Sequence, residues 1–425
     1  VCVVVFSGIS VMAAPKQFVI TGNGQGPGST SFASAIPAAG GTVVRNMERI
    51  GIVVATSDDP NFATTMGAAG GVKFVTPDME VNWIGGEKSA EGALSFQPDS
   101  LNNEPFFAYQ WNIRQIHADQ AAANGNRGTG AVVAVLDAGC NMLHADIAPN
   151  ILTAFAASFV PGEGVQSVHP GFNHGTHVSG IIAAAINNVG TQGVAPNAKV
   201  IPVKVLHESG SGSFGGIIAG LDYVAGLNLS HAIRVDVINM SLGATFDRIN
   251  QGGGGAGTLI GALNRAMNEA SDAGILCISA AGNEGLDLNS RIWSIPAQSG
   301  NGIAVSATGP AGLANFDRLA SYSNYGRSVV TVAGPGGDAV VAATYPFDMV
   351  IAPGAATGTS GYYFAAGTSM ATPAVSGVAA LIVGKYGHMT AGDLKSRIMA
   401  SSVNIGPGEF FGRGRVDALA ATSAP

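Results

Sequence analysis

Charge is scarce in this chain. Asp, Glu, Lys and Arg make up 11% of its 425 residues and the net charge is -7, so it lacks the basic stripe that a nucleic-acid partner demands. Cysteine is nearly absent: of Cys2, Cys140 and Cys277, Cys277 lies in the apolar run Gly274 to Ala281 and reads as buried, and its pairing with Cys140 is left open. A membrane-spanning run is missing too, because the apolar stretch Val1 to Val11 is too short to cross a bilayer. Neither an initiator Met nor a basic segment precedes that stretch, and Met12-Ala13-Ala14 follow it. It reads as the tail of a secretory signal peptide, cleaved after Ala13 or Ala14, and the product is expected outside the cell or in a periplasm. What the chain has in quantity is apolar side chains, 47%, and 61 glycines, the make-up of a tightly packed α/β body with many turns. At this length one large domain and one smaller one can each bury a core.

Behind the leader, residues 1–14, a small unit over 15–84 shows short strand patterns at Gln17 to Ile20, Gly41 to Val44, Ile50 to Ala55 and Gly71 to Val75. Helix patterns lie at Thr30 to Ala38 and Asn61 to Ala69. Strand, helix, strand, strand, helix, strand is the order of a small α+β sandwich. Residues 85–105 are polar and turn-rich without an apolar period, and read as an exposed connector open to proteolysis. From 106 to 425 strand and helix patterns alternate. The first strong strand, Ala131 to Leu136, has no polar alternation, as expected of a strand covered on both faces. Further strands are expected at Lys199 to Leu206, Val235 to Met240, Gly274 to Ala281 and Ile303 to Ala307, with helices at Ile181 to Ile186, Phe214 to Ala225, Thr258 to Ala273 and from Ser369 onward. The order predicts an α/β fold with a doubly wound, mostly parallel sheet. The glycine-rich stretches Gly252 to Gly257 and Gly334 to Gly337 read as loops, since a phosphate cradle needs a strand before and a helix after at set spacing.

Chemistry concentrates in three places. Asp137 ends the first strong strand, and carboxyl ends of parallel strands are where active sites gather. His174 stands in Asn173-His174-Gly175-Thr176-His177-Val178-Ser179-Gly180, and Ser369 in Gly367-Thr368-Ser369-Met370-Ala371-Thr372-Pro373, ahead of a small-residue apolar helix. A helix start carries unpaired N–H groups and partial positive charge, which suits a developing oxyanion, and Pro373 costs nothing in the first turn, where its missing donor is not used. Singly, Asp137 reads as a turn cap, His174 as a helix-start hydrogen bonder and His177 as a packing residue. Together, carboxylate, imidazole and hydroxyl are the three groups of acyl transfer.

These three segments resemble the signatures of the subtilisin-like serine proteases, whose chain order and oxyanion contribution are already established for subtilisin itself. The resemblance implies Ser369 as nucleophile, His174 as general base and then acid, and Asp137 as the residue that holds the imidazole. Ala280-Ala281-Gly282-Asn283-Glu284-Gly285 resembles the family's oxyanion motif and nominates the Asn283 side chain with the Ser369 N–H. Asn239-Met240-Ser241-Leu242-Gly243 is similar to the strand that pairs with substrate. Ser241, Leu242, Gly243, Ala281 and Gly282 are therefore expected around the substrate, with room for a bulky side chain before the scissile bond and broad cleavage with an apolar or aromatic preference.

The resemblance further implies a secreted serine endopeptidase made as a zymogen. The small unit would be an inhibitory propeptide, an intramolecular partner cut off within Gly85 to Pro105, and the enzyme would act on protein or peptide substrates as a monomer without stable membrane insertion. No cofactor is expected for catalysis. A structural calcium ion is implied at Asp146 and Asn187 with the backbone oxygens of Ala185, Val189 and Thr191, although the ligand that the family adds from the start of the mature chain has no match near Phe107. Ala138 stands where the family has Ser or Thr, and Ala374 where it often has His. A zincin would need an acidic residue beside His174 and four-residue spacing to the next histidine. An esterase of the α/β-hydrolase type would need Gly at Ala371 and the histidine last. A catalytically inactive binding scaffold on the same fold is the remaining alternative.

Overall fold

The computed structural model describes residues 16–91, 102–249 and 255–423. The leader at 1–14, residues 92–101 of the connector and part of the Gly252 to Gly257 stretch fall outside these. The chain divides into two compact units, Val1–Asp78 and Met79–Pro425.

In the smaller unit four antiparallel strands lie in the order Gly41–Met47, Ile52–Ser57, Lys16–Gly22, Val72–Pro77. Phe18, Ile20, Val53, Ala55 and Phe62 make its core under the helix Phe62–Gly67. The helix expected over Thr30 to Ala38 is instead two 3-10 turns, Ser31–Ala35 and Pro37–Ala39. Pro37 has no N–H with which to carry an α-helical ladder through.

The larger unit is built on a seven-stranded sheet in the order Val332–Pro335, Gly302–Thr308, Leu276–Ala280, Val237–Met240, Val132–Asp137, Lys199–Lys204, Ala157–Ser158. Every pairing in it is parallel. Side chains alternate across a strand, and here the alternation sorts two helix layers. Val133 and Val135 join Val178, Ile182, Val375 and Val378 in the main core, which belong to the helices His174–Ala183 and Thr368–Tyr386. Leu136 and Val203 lie instead against Gly220 of the helix Phe214–Leu229. The doubly wound α/β fold expected from the sequence is therefore present.

The stretch Gly334 to Gly337 is only partly a loop, since Val332–Pro335 is the edge strand. A methyl group on Gly334 would lie 2.7 Å from the carbonyl oxygen of Ala371, so the glycine lets the Ser369 helix lie directly on this strand. No described helix is long and apolar enough to cross a membrane. Cys140 and Cys277 are both free thiols.

Candidate active site

Asp137 is the last residue of a strand buried along its whole length. Its Oδ1 accepts a hydrogen bond from the Ala138 N–H at 2.7 Å. Both carboxylate oxygens stand 2.9 Å from His174 Nδ1, so Nδ1 carries the proton and Nε2 is the nitrogen left for chemistry. His174 opens its helix, about two turns earlier than the apolar pattern alone predicts. Asn173, in extended backbone, caps that helix by accepting from the Thr176 N–H at 2.8 Å, which fixes the turn bearing the imidazole. Only hydrogen fits at Gly175, where a methyl would fall 2.0 Å from Gly139 O and 3.1 Å from Asp137 Oδ1. Burial alone would lower the His174 pKa, but Asp137 and then Glu87 outweigh it and hold it well above the usual value. His177 shows the opposite balance: burial pushes it down to about 3, and its Nε2 donates to Tyr363 O at 2.9 Å. It is a neutral packing residue, as its position suggests.

Ser369 is the second residue of its helix and is buried. Its hydroxyl donates to Ser241 O at 3.1 Å, and the Ser241 hydroxyl donates back to Ser369 O at 2.8 Å. The return bond depends on Pro373. That residue lies inside the helix rather than in its first turn, and its missing N–H leaves the carbonyl four residues back, that of Ser369, without a helical donor. Ser241 fills the gap, while Asn239 Nδ2 donates to the Ser241 hydroxyl at 3.0 Å and Ser376 donates to Asn239 Oδ1 at 2.8 Å. Proline here ties the turn bearing Ser369 to the neighbouring strand.

Asn283 is oriented by chemistry that admits one amide rotamer. The Thr368 N–H, which can only donate, and the Thr368 hydroxyl both bond Asn283 Oδ1 at 2.8 Å, so the NH2 group faces the other way. There it donates to Gly85 O at 3.0 Å.

Gly85 belongs to a stretch of the larger unit that crosses the site without a break. Before it, Glu80–Asn82 pairs antiparallel with Ser211–Ser213. Trp83 is 1% exposed: its N–H donates to Gly210 O at 2.9 Å, its carbonyl accepts from Gly243 N–H at 2.8 Å, and its indole N–H donates to Gly212 O at 2.8 Å. Its ring meets Phe214 edge-on at 5.0 Å. After Gly85, Glu87 lies 3.1 Å from His174 Nε2, and Lys88–Glu91 pairs antiparallel with Tyr362–Ala366. Of the residues expected around substrate, Gly243 is thus in contact with this stretch, Ser241 holds Ser369, and Leu242 is buried. Ala281 O accepts from Ser294 and Asn324, and a methyl on Gly282 would meet Asn324 Nδ2 at 2.4 Å.

Residues 85–91 of the connector are thus held through their backbone, while Gly85, Gly86, Lys88, Ser89 and Glu91 stay exposed as the composition suggests. Backbone pairing leaves no side-chain period to read, so the contacts of Trp83 and Glu87 have no signal in the sequence.

The residues nominated for calcium do lie together, but as a cradle of donors. Glu104, 1% exposed, accepts from the N–H groups of Asn187 and Asn188 at 2.6 and 2.7 Å and from those of Val189 and Gly190 at 3.1 Å. Asp146 Oδ2 accepts from the Thr191 N–H at 2.9 Å and hydroxyl at 2.8 Å, and Asn187 Oδ1 accepts from Val189 N–H at 3.0 Å. Calcium takes six to eight oxygens, whereas this loop turns amide hydrogens toward a carboxylate of its own chain. Asp146 Oδ1 is buried without a hydrogen-bond partner among the described residues, so an acidic oxygen is left for an ion beside this cradle. No group of three or more His, Cys, Asp or Glu among the described residues is placed to hold a metal.

Comparison with known proteins agrees with this architecture. The model of the Subtilase family matches residues 128–414. Subtilisin J of Geobacillus stearothermophilus is 32% identical over 423 residues, covering 98% of this chain and 94% of its own. An alkaline protease of Alkalihalobacillus alcalophilus is 38% identical over 312 residues, covering 73% of this chain and 69% of its own. The crystal structure of the epidermin leader peptide processing serine protease of Staphylococcus aureus superposes with a TM-score of 0.78 over 96% of this chain and 98% of its own, at 20% identity, a likeness of fold. With a strand-end carboxylate on a helix-start imidazole, a serine at the head of a buried helix and relatives of this extent, the chain belongs to the subtilase family and is a serine endopeptidase.

Proposed function

We propose that the chain is the precursor of a secreted endopeptidase that cuts itself between Gly85 and Gly86 and then hydrolyses peptide bonds in other proteins, acting as a monomer. The single observation that carries this reading is the Gly85 carbonyl on the Asn283 amide at 3.0 Å, with antiparallel pairing on both sides of it. An extended chain bound through its backbone at an oxyanion donor is the posture of a peptide substrate.

In the reaction, Ser369 Oγ attacks the Gly85 carbonyl carbon as its proton passes to His174 Nε2, with Asp137 stabilising the imidazolium formed. The Asn283 NH2 and the Ser369 N–H receive the oxyanion. When the C–N bond breaks, His174 returns the proton to the departing Gly86 nitrogen, and water then releases the acyl group from Ser369 by the same relay. Residues 15–85 act as the propeptide. Substrate selection is expected to rest on an aromatic or large apolar side chain in the place of Trp83, between Gly212 and Phe214, while the glycine on either side of the bond asks for little.

Mass spectrometry of the secreted parent and of Ser369→Ala tests the proposal. The expected result is a product beginning at Gly86 in the parent and an uncut precursor in the variant. A first residue elsewhere, or equal cleavage in both, overturns it.

A further inference from the structure

The proton relay is interrupted in the intact chain. His174 Nε2 lies 3.1 and 3.3 Å from the two Glu87 carboxylate oxygens, and the Ser369 hydroxyl donates to Ser241 O. Both ends that must meet for attack are held by other partners. Glu87 reaches the imidazole because the backbone turns at Gly86, which has φ +71, a conformation that L side chains seldom adopt. A methyl on Gly367, two residues before Ser369, would lie 3.1 Å from Glu87 Cγ, so the carboxylate sits beside the head of the serine helix. Both partners are out of solvent, the Glu87 side chain 9% and the His174 side chain 5% exposed, where water screens an ion pair least.

We propose that Glu87 is a latch: its carboxylate occupies the catalytic face of His174, keeps the precursor from cutting itself at once, and makes self-cleavage wait for that contact to open. This rests on the self-cleavage reading above. Among the described residues the imidazolium is the one cation within ion-pair distance of Glu87. The groups facing His174 are Asp137 on its Nδ1 side, Glu87 on its Nε2 side and neutral His177 from the same helix, while Tyr322 faces Glu87 and its hydroxyl donates to Gly336 O and Gly337 O. Removal of Glu87 leaves Asp137 as the sole carboxylate on the ring. The sign follows. A neighbouring carboxylate favours protonated imidazole, attack needs it neutral, and so the latch moves the rise of cleavage rate with pH toward higher pH.

First-order self-cleavage of purified full-length precursor, measured from pH 5 to 9 for the parent, Glu87→Gln, Glu87→Ala and Ser369→Ala, tests the latch. Both Glu87 variants are expected to cleave about tenfold faster at neutral pH, with the midpoint of the pH profile lower by about one unit, and Ser369→Ala to stay intact. Glu87 variants that match the parent in rate and midpoint overturn the latch and leave the self-cleavage reading standing. Glu87 variants that fail to cut overturn both.

Discussion

The helix starts at His174 and at Thr368 are finished differently. The helix headed by His174 is closed by its own cap, Asn173 accepting from Thr176 N–H. The helix headed by Thr368 and Ser369 follows Gly367, which supplies no side-chain cap, and its first amide is held from outside by Asn283. A closed start fixes geometry and has nothing left to bind, whereas a start held from outside brings a second donor, the Asn283 NH2, to the same spot. The amides of Asn187 to Gly190 form a third case, closed by Glu104 from a distant part of the chain. Closed amide clusters should matter for stability and the open one for rate.

Replacement of Ser369 by Ala should break the comparison most severely. Turnover of a peptide substrate is expected to fall roughly a million-fold, as already known of subtilisin, with an unchanged melting temperature. Asn283→Ala should cost ~100-fold to ~1000-fold in kcat with little change in KM, again the loss known of subtilisin. Full turnover in that variant would remove Asn283 from the oxyanion site. On the closed side, Glu104→Gln leaves buried amides with a weaker acceptor and should lower stability to urea by about 1–3 kcal/mol, and the melting temperature of the parent under calcium chelation tests the ion at Asp146. A fall on chelation that Asp146→Asn abolishes would show that the loop does take the ion. The smallest effect is expected from Asn173→Ala, about 1 kcal/mol of stability with kcat within a few-fold of the parent.

The same contrast explains how much of this molecule could be read from its sequence. Strand ends and helix starts carry their chemistry in short contiguous words, so the expectations placed on Asp137, His174, Ser369 and Asn283 are legible in the sequence, as are most strands of the parallel sheet. Backbone pairing leaves no such word. Glu80–Asn82 and Lys88–Glu91 bind through N–H and C=O groups that every residue possesses, and from Gly85 onward the sequence reads as a solvated connector. Glu104 hid for a related reason: its partners are four consecutive amides, which no side-chain motif announces. Pro373 was recognised as a helix-start residue, but the consequence of its place deeper in the helix, a free Ser369 carbonyl for Ser241, needs the third dimension.

Cys140 and Cys277 are unpaired and almost wholly buried, with burial pushing both thiols up to about 12. Neither is a ready nucleophile toward oxidants or alkylating reagents while the fold is intact. No crosslink between them holds the larger unit together, so its assembly asks nothing of a thiol oxidase. A dye that couples to sulfhydryls would report the opening of the central sheet itself.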